Sequence, residues 1–156
     1  MNPTSFGLWA LKDGVWYRAR EYYFDSRREG RQKTDTEYVA DLKKFAAGET
    51  VEKVIVDPSA ASFIEVLRRE GWKVRKADND VISGIRKTAD ALKEGRIVIC
   101  ERCTDCLREM DLYVWDLEAG GDRVVKKNDH AMDDIRYFAA GISKLTQSLG
   151  AAWVER

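Results

Sequence analysis

Apolar and polar positions follow two different periods along this chain, and the switch between them separates strands from helices. Phe6 to Leu11 and Val15 to Phe24 are aromatic and β-branched runs split by Lys12-Asp13-Gly14, which predicts an antiparallel hairpin. In the first run both alternating sets are apolar (Phe6, Leu8, Ala10; Trp9, Leu11), so this strand is expected to be covered on both faces. From Thr34 the period lengthens. Thr34 and Glu37 have capping-box spacing, and Tyr38, Leu42, Phe45 and Ala46 share one helical face that Gly48 ends. Val51 to Val56 closes in a continuous apolar run, the pattern of a parallel strand buried on both sides.

The same alternation continues. Ser59 is expected to cap a helix carrying Phe63, Ile64 and Leu67 and ended by Gly71, and Trp72 to Ala77 is expected to be a strand. Asp80 is placed to cap a helix with Val81, Ile82, Ile85, Ala89 and Leu92 on one face, ended by Gly95. Arg96 to Cys100 is a short strand, and Thr104 opens a helix carrying Leu107, Met110 and Val114. Glu118 to Asp122 is a turn before Val124-Val125, consistent with a hairpin. Asp129 is placed to cap a helix through Gly141 with Met132, Ile135, Phe138 and Ala139 inward, and the tail from Ile142 is expected to be a short amphipathic helix. Two antiparallel strands followed by alternating helix and strand predict a mixed α/β sheet with flanking helices.

Length and charge narrow the possibilities. At 156 residues the chain is expected to form one domain, 1–156, with a core that needs no disulfide or metal staple. Charged residues make up 35%, yet 27 basic side chains balance 27 acidic ones, so contact with nucleic acid must come from a local patch. No apolar run approaches a membrane span, and Met1-Asn2-Pro3-Thr4-Ser5 is not a secretory leader, which makes the cytoplasm the expected compartment. Three cysteines crowded into seven residues do not resemble a secreted disulfide framework.

Two acidic segments carry the candidate chemistry. Asp57 ends the strand Val54-Ile55-Val56, where ligand groups gather in open α/β sheets. Its simpler reading, an Asp-Pro turn before a helix, carries equal weight. Asp133 stands on the first turn of the later helix, where the macrodipole favours an anion, and His130 is its i, i+3 neighbour. Acids at helix starts also serve as caps, the role expected of Asp129 and Asp134. Two remote carboxylates with an imidazole suit Mg²⁺ or Mn²⁺ bound to phosphate oxygens, which makes metal-dependent cleavage of nucleic acid the first hypothesis.

Other clusters are weaker. Cys100, Cys103 and Cys106 form C-x₂-C-x₂-C without a fourth cysteine, so packing as small hydrophobes outweighs metal binding. Arg27, Arg28, Arg31 and Lys33 in one loop, and the Lys126-Lys127 pair before the acidic helix, are the phosphate-contact candidates. A solvated loop and a hairpin end explain them equally well.

Six segments in order carry a resemblance: Asn2-Pro3-Thr4-Ser5-Phe6, Asp13-Gly14-Val15-Trp16-Tyr17, Arg20-Glu21-Tyr22-Tyr23, Val56-Asp57-Pro58-Ser59-Ala60-Ala61, Tyr113-Val114-Trp115-Asp116, and Asp129-His130-Ala131-Met132-Asp133 with Arg136-Tyr137. Together, up to about Ala140, they resemble the C-terminal nuclease domain of the large terminase subunit of tailed bacteriophages and prophages. The resemblance implies an RNase H-like fold and an endonuclease that uses two divalent ions, Mg²⁺ or Mn²⁺, to cut concatemeric double-stranded DNA during genome packaging. It implies Asp57 as the second catalytic acid, Asp133 as the third, and His130 as the histidine before it. It further implies a bacterial host cytoplasm and, in the full protein, the terminase small subunit and portal as partners.

One departure stands out. The family's first acid ends a strand just before the Asn-Pro-Thr-Ser-Phe segment, and neither that strand nor an ATPase loop with a Gly-rich lysine motif is found here. The expectation is a truncated nuclease domain with a central strand missing, weak or absent cleavage, and a sheet open to oligomerisation or strand exchange. Two rivals come from other classes: a catalytically dead DNA-binding or assembly module, and a small metal-binding interaction domain built on the cysteines.

Overall fold

Asp13 and Gly14, at φ 51° and 78°, make the tight turn that joins β1 (Thr4–Lys12) to β2 (Val15–Phe24). Positive φ at both central residues matches the twist of the flanking strands. The pairing is antiparallel from Thr4↔Phe24 to Lys12↔Val15, with one register shift between Leu8 and Trp9. The computed structural model describes residues 3–113, 129–142 and 152–155, the last as backbone only.

Thr34 then starts α1 (Asp35–Phe45) through a complete capping box with Glu37. It is followed by β3 (Val51–Val56), α2 (Ala61–Arg69), β4 (Val74–Lys76), α3 (Val81–Lys93), β5 (Ile97–Ile99), α4 (Thr104–Leu112), α5 (His130–Gly141) and β6 (Ala152–Glu155). The strands form one mixed six-stranded sheet in the order β4-β3-β6-β1-β2-β5. β3 runs parallel to β4 and β6, and β5 parallel to β2. The mixed α/β class predicted from the sequence is the class observed, and the fold is RNase H-like.

The sheet divides two apolar cores. On one face Phe6, Leu8, Val54 and Val56 meet Tyr38 and Leu42 of α1 and Phe63, Ile64 and Leu67 of α2. On the other, Trp9, Trp16 and Ile55 meet Ile135, Phe138 and Ala139 of α5, with Ala91 of α3 and Cys106 of α4. Trp9 stacks on Phe138 with ring centroids 4.0 Å apart. β1 is therefore covered on both faces, as its unbroken apolar pattern required.

Several local expectations are corrected. Ser59 does not cap α2. A turn from Asp57 O to Ala60 N (3.0 Å) makes Ala60 the capping position, without a side-chain bond. Asp129 precedes α5 but its side chain does not cap it. Instead the buried Glu109 carboxylate of α4 accepts from Ala131 N at 2.6 Å. At 152–155 the tail is a strand, because these residues find backbone partners on both sides, while 143–151, where the short helix was expected to begin, lie outside the described residues. β6 lies between β1 (Gly7–Ala10) and β3 (Val51–Ile55), so the expected opening in the sheet is filled over those residues. The turn at 118–122, the strand at Val124-Val125, Val114 and Lys126-Lys127 lie outside the described residues.

Candidate functional site

β3 ends at Val56, and Asp57 emerges at the C-terminal edge of the sheet, half-buried. Two contacts fix its carboxylate. Oδ1 accepts from Ser59 N at 2.8 Å, and Oδ2 accepts from the Tyr137 hydroxyl of α5 at 2.9 Å. The turn reading is therefore correct for one oxygen, while the other reaches across to the helix. Burial works against the charge on Asp57, but the Ser59 N–H, the Ser59 hydroxyl, Tyr137 and Arg136 together hold its pKa below the usual value.

α5 brings the second half. His130 and Asp133 stand on its first turn, three residues apart and both only partly buried. Burial raises the Asp133 pKa, and the guanidinium of Arg136 offsets part of that rise. Arg136 Nη2 donates to Asp133 Oδ1 at 2.8 Å. Arg136 reaches this position over Gly84 of α3, where a Cβ would stand 2.8 Å from its Cδ and closer to its Cγ. Asp57, His130, Asp133, Asp134 and Tyr137 line one open cavity of about 430 Å³, shared with Thr4, Ser5, Lys33 and Tyr38.

The three sequence-derived residues thus share a cavity. Among the described residues, no three His, Cys, Asp or Glu side chains converge tightly enough to hold an ion as they stand. The donor chemistry still suits a hard divalent cation. Two carboxylates from separate elements and an imidazole face one polar cavity, and the Asp57 carboxylate is held ionised.

The basic loop is mostly committed elsewhere. Arg31 pairs with Glu37 at 2.8 Å and Arg28 with Glu29 at 3.7 Å. Lys33 binds Asp41 and the Tyr22 hydroxyl while lining the cavity rim. Arg27 lies exposed in the turn after β2. Cys103 and Cys106 are fully buried in the α4–α5 core, where desolvation raises both thiols, Cys103 to about 11, so they remain protonated. Cys103 donates to the backbone carbonyl of Arg18.

Sequence reasoning missed Arg18, Asp134 and Glu109, all fully buried and charged. It assigned Asp134 to capping, and no periodicity marks a buried arginine on a strand. The nearest signal was Gly7 amid large apolar residues of β1, the sign of a close approach.

No protein-family model matches the chain. The large terminase of a thermophilic bacteriophage, solved with ADP, is 51% identical with a TM-score of 0.89, over 91% of this chain and 37% of that one. The large subunit terminase of Escherichia phage T5 is 23% identical over 82% of this chain and 31% of its own length. The chain thus spans about a third of these relatives. Two isolated nuclease domains share the fold. That of the P22 large terminase has a TM-score of 0.68 at 21% identity, over 93% of this chain and 76% of that one. That of the bacteriophage SPP1 large terminase, solved with bound Mn, has 0.60 at 22%, over 92% and 80%. With 51% identity to the thermophilic phage protein over 91% of its length, and the fold of the P22 and SPP1 nuclease domains, the chain is a relative of the phage large terminases.

Proposed function

We propose that this chain is the DNA-cleaving part of a phage large terminase, hydrolysing phosphodiesters of double-stranded DNA with Mg²⁺ or Mn²⁺ during genome packaging. The observation that carries this reading is the shared cavity, which joins Asp57 at a strand tip to His130 and Asp133 on a helix start. The Mn bound in the SPP1 relative supports a divalent ion of this class. Such an ion, when bound, activates water and stabilises the leaving oxygen, and two of them do both at once. Asp57 and Asp133 would supply the anionic oxygens and His130 an imidazole.

The surrounding residues hold these groups. Tyr137 orients Asp57 through its hydroxyl, and Arg136 restrains Asp133 through one oxygen. Lys33 and Gln32 border the cavity on the α1 side, where a DNA phosphate would approach. Arg27, Arg28, Arg31, Lys126 and Lys127 remain candidates for contacts further along the duplex. Small-subunit and portal partners follow only from the relatives as whole proteins.

The test is plasmid nicking in Mn²⁺, run on this chain and on a form lengthened upstream by the strand that the resemblance calls for. Cleavage that Asp57→Ala and Asp133→Ala each reduce by about a hundredfold or more is the expected result. One observation favours a second reading, a DNA-binding or assembly module without cleavage: the donors do not converge among the described residues. DNA binding with no nicking in either form would select it.

A further inference from the structure

Asp133 and Asp134 are neighbours with different surroundings. Both border the cavity, but Asp133 keeps 38% of its side chain exposed, while Asp134 is wholly buried. Both Asp134 oxygens are engaged by the guanidinium of Arg18, with Nη2 to Oδ2 at 2.8 Å, and the Ser5 hydroxyl donates to Oδ2. Arg18 lies on β2 and must cross β1 to reach α5. It does so over Gly7, where a Cβ would stand 2.6 Å from its Cζ and closer to Nη1. The guanidinium also lies 5.8 Å from the centroid of the Trp9 ring, which stacks on Phe138 one turn along α5.

We propose that Arg18 and Asp134 are positioning residues that set the rotation of α5 and so aim His130 and Asp133 at Asp57. This rests on the metal-site reading above. On a helix, successive side chains are separated by about 100°, so pinning Asp134 to the sheet fixes the direction of Asp133. A carboxylate lies roughly 5–6 Å from the helix axis, so a turn of about 10° moves it by about 1 Å. Stability alone does not account for the pair, because a buried ion pair is often no more stabilising than apolar residues of similar volume. A bidentate fork fixes angle as well as distance. β1 supplies the opening for it at Gly7 and a hydroxyl at Ser5, and α5 supplies Asp134, the neighbour of the more exposed Asp133.

The test uses the full chain and Mn²⁺ as probe. Ion binding is followed by electron paramagnetic resonance, and broadening of the ring protons of His130, the chain's single histidine, reports where the ion sits. The double variant R18M/D134L removes both charges together, and Arg18→Lys keeps the charge but loses the fork. The parent is expected to bind Mn²⁺ and broaden His130. R18M/D134L is expected to melt near the parent yet bind Mn²⁺ about tenfold more weakly or worse. Arg18→Lys is expected to lose about threefold or more and to broaden His130 less. A folded Arg18→Lys or double variant that matches the parent in both readouts overturns the positioning role and leaves the metal site standing. A parent that does not bind Mn²⁺, or binds equally well after Asp57→Ala, overturns the metal site and the positioning role with it.

Discussion

At the residue scale, two glycines and two arginines organise the acids of α5. Gly7 admits Arg18 to Asp134, and Gly84 admits Arg136 to Asp133. Neither glycine is required by a positive φ; both are required by close approach. The substitution Gly84→Ala separates two effects of opposite sign. In a helix interior, alanine is favoured over glycine by about 1 kcal/mol. Here the new methyl would meet the stem of a buried arginine that is tied to Asp133, and overpacking of this kind costs about 1–3 kcal/mol. The expected outcome is a lower melting temperature despite the better helix propensity. A rise in melting temperature would show that Arg136 moves aside freely.

At the element scale, α4 and α5 are started by acids from other elements. Glu21 of β2 accepts from Asp105 N and Cys106 N of α4, and Glu109 of α4 accepts from Ala131 N of α5. α1 is instead tied to β2 by side chains: Asp41 accepts from the Tyr22 hydroxyl at 2.6 Å and from Lys33. Burial opposes the charge on Asp41, but those two partners hold its pKa below the reference 3.8. An acid with a depressed folded-state pKa contributes stability above its unfolded value and loses it as pH falls through the folded one. Asp41→Asn is therefore expected to be less stable than the parent at about pH 6, with the gap closing below pH 3.8. Denaturant midpoints at about pH 6 and about pH 3 check this. Periodicity made these elements legible: the hairpin, the capping box of α1, the Asp80 cap and the span of α5 all appear as expected. It was silent on caps supplied from a distance, because nothing near Ala131 in the sequence reveals that Glu109 will face it.

At the scale of the whole molecule, the sheet is joined across its middle by β6, which pairs with β1 on one side and β3 on the other. A proline in a strand paired on both sides cannot donate to the ladder and removes one of its hydrogen bonds. Val154→Pro is expected to lower the melting temperature sharply and to promote self-association as β1 and β3 lose their partner, with calorimetry and light scattering as the readouts. A variant that matches the parent in melting temperature and in mass by light scattering would show that this strand contributes nothing to the sheet. The sequence by itself determined the α/β class and the order of most elements, and it singled out Asp57, His130 and Asp133, which line one cavity. Those features are written in local period, in caps and in the placement of acids at a strand tip and a helix start. Only the tertiary structure decided which strands are neighbours, what fills the space between β1 and β3, and how α5 is rotated. Each of these depends on contacts between residues far apart in the chain, as between Ser5 and Asp134, where strand pairing and buried charge are settled by packing rather than by local pattern.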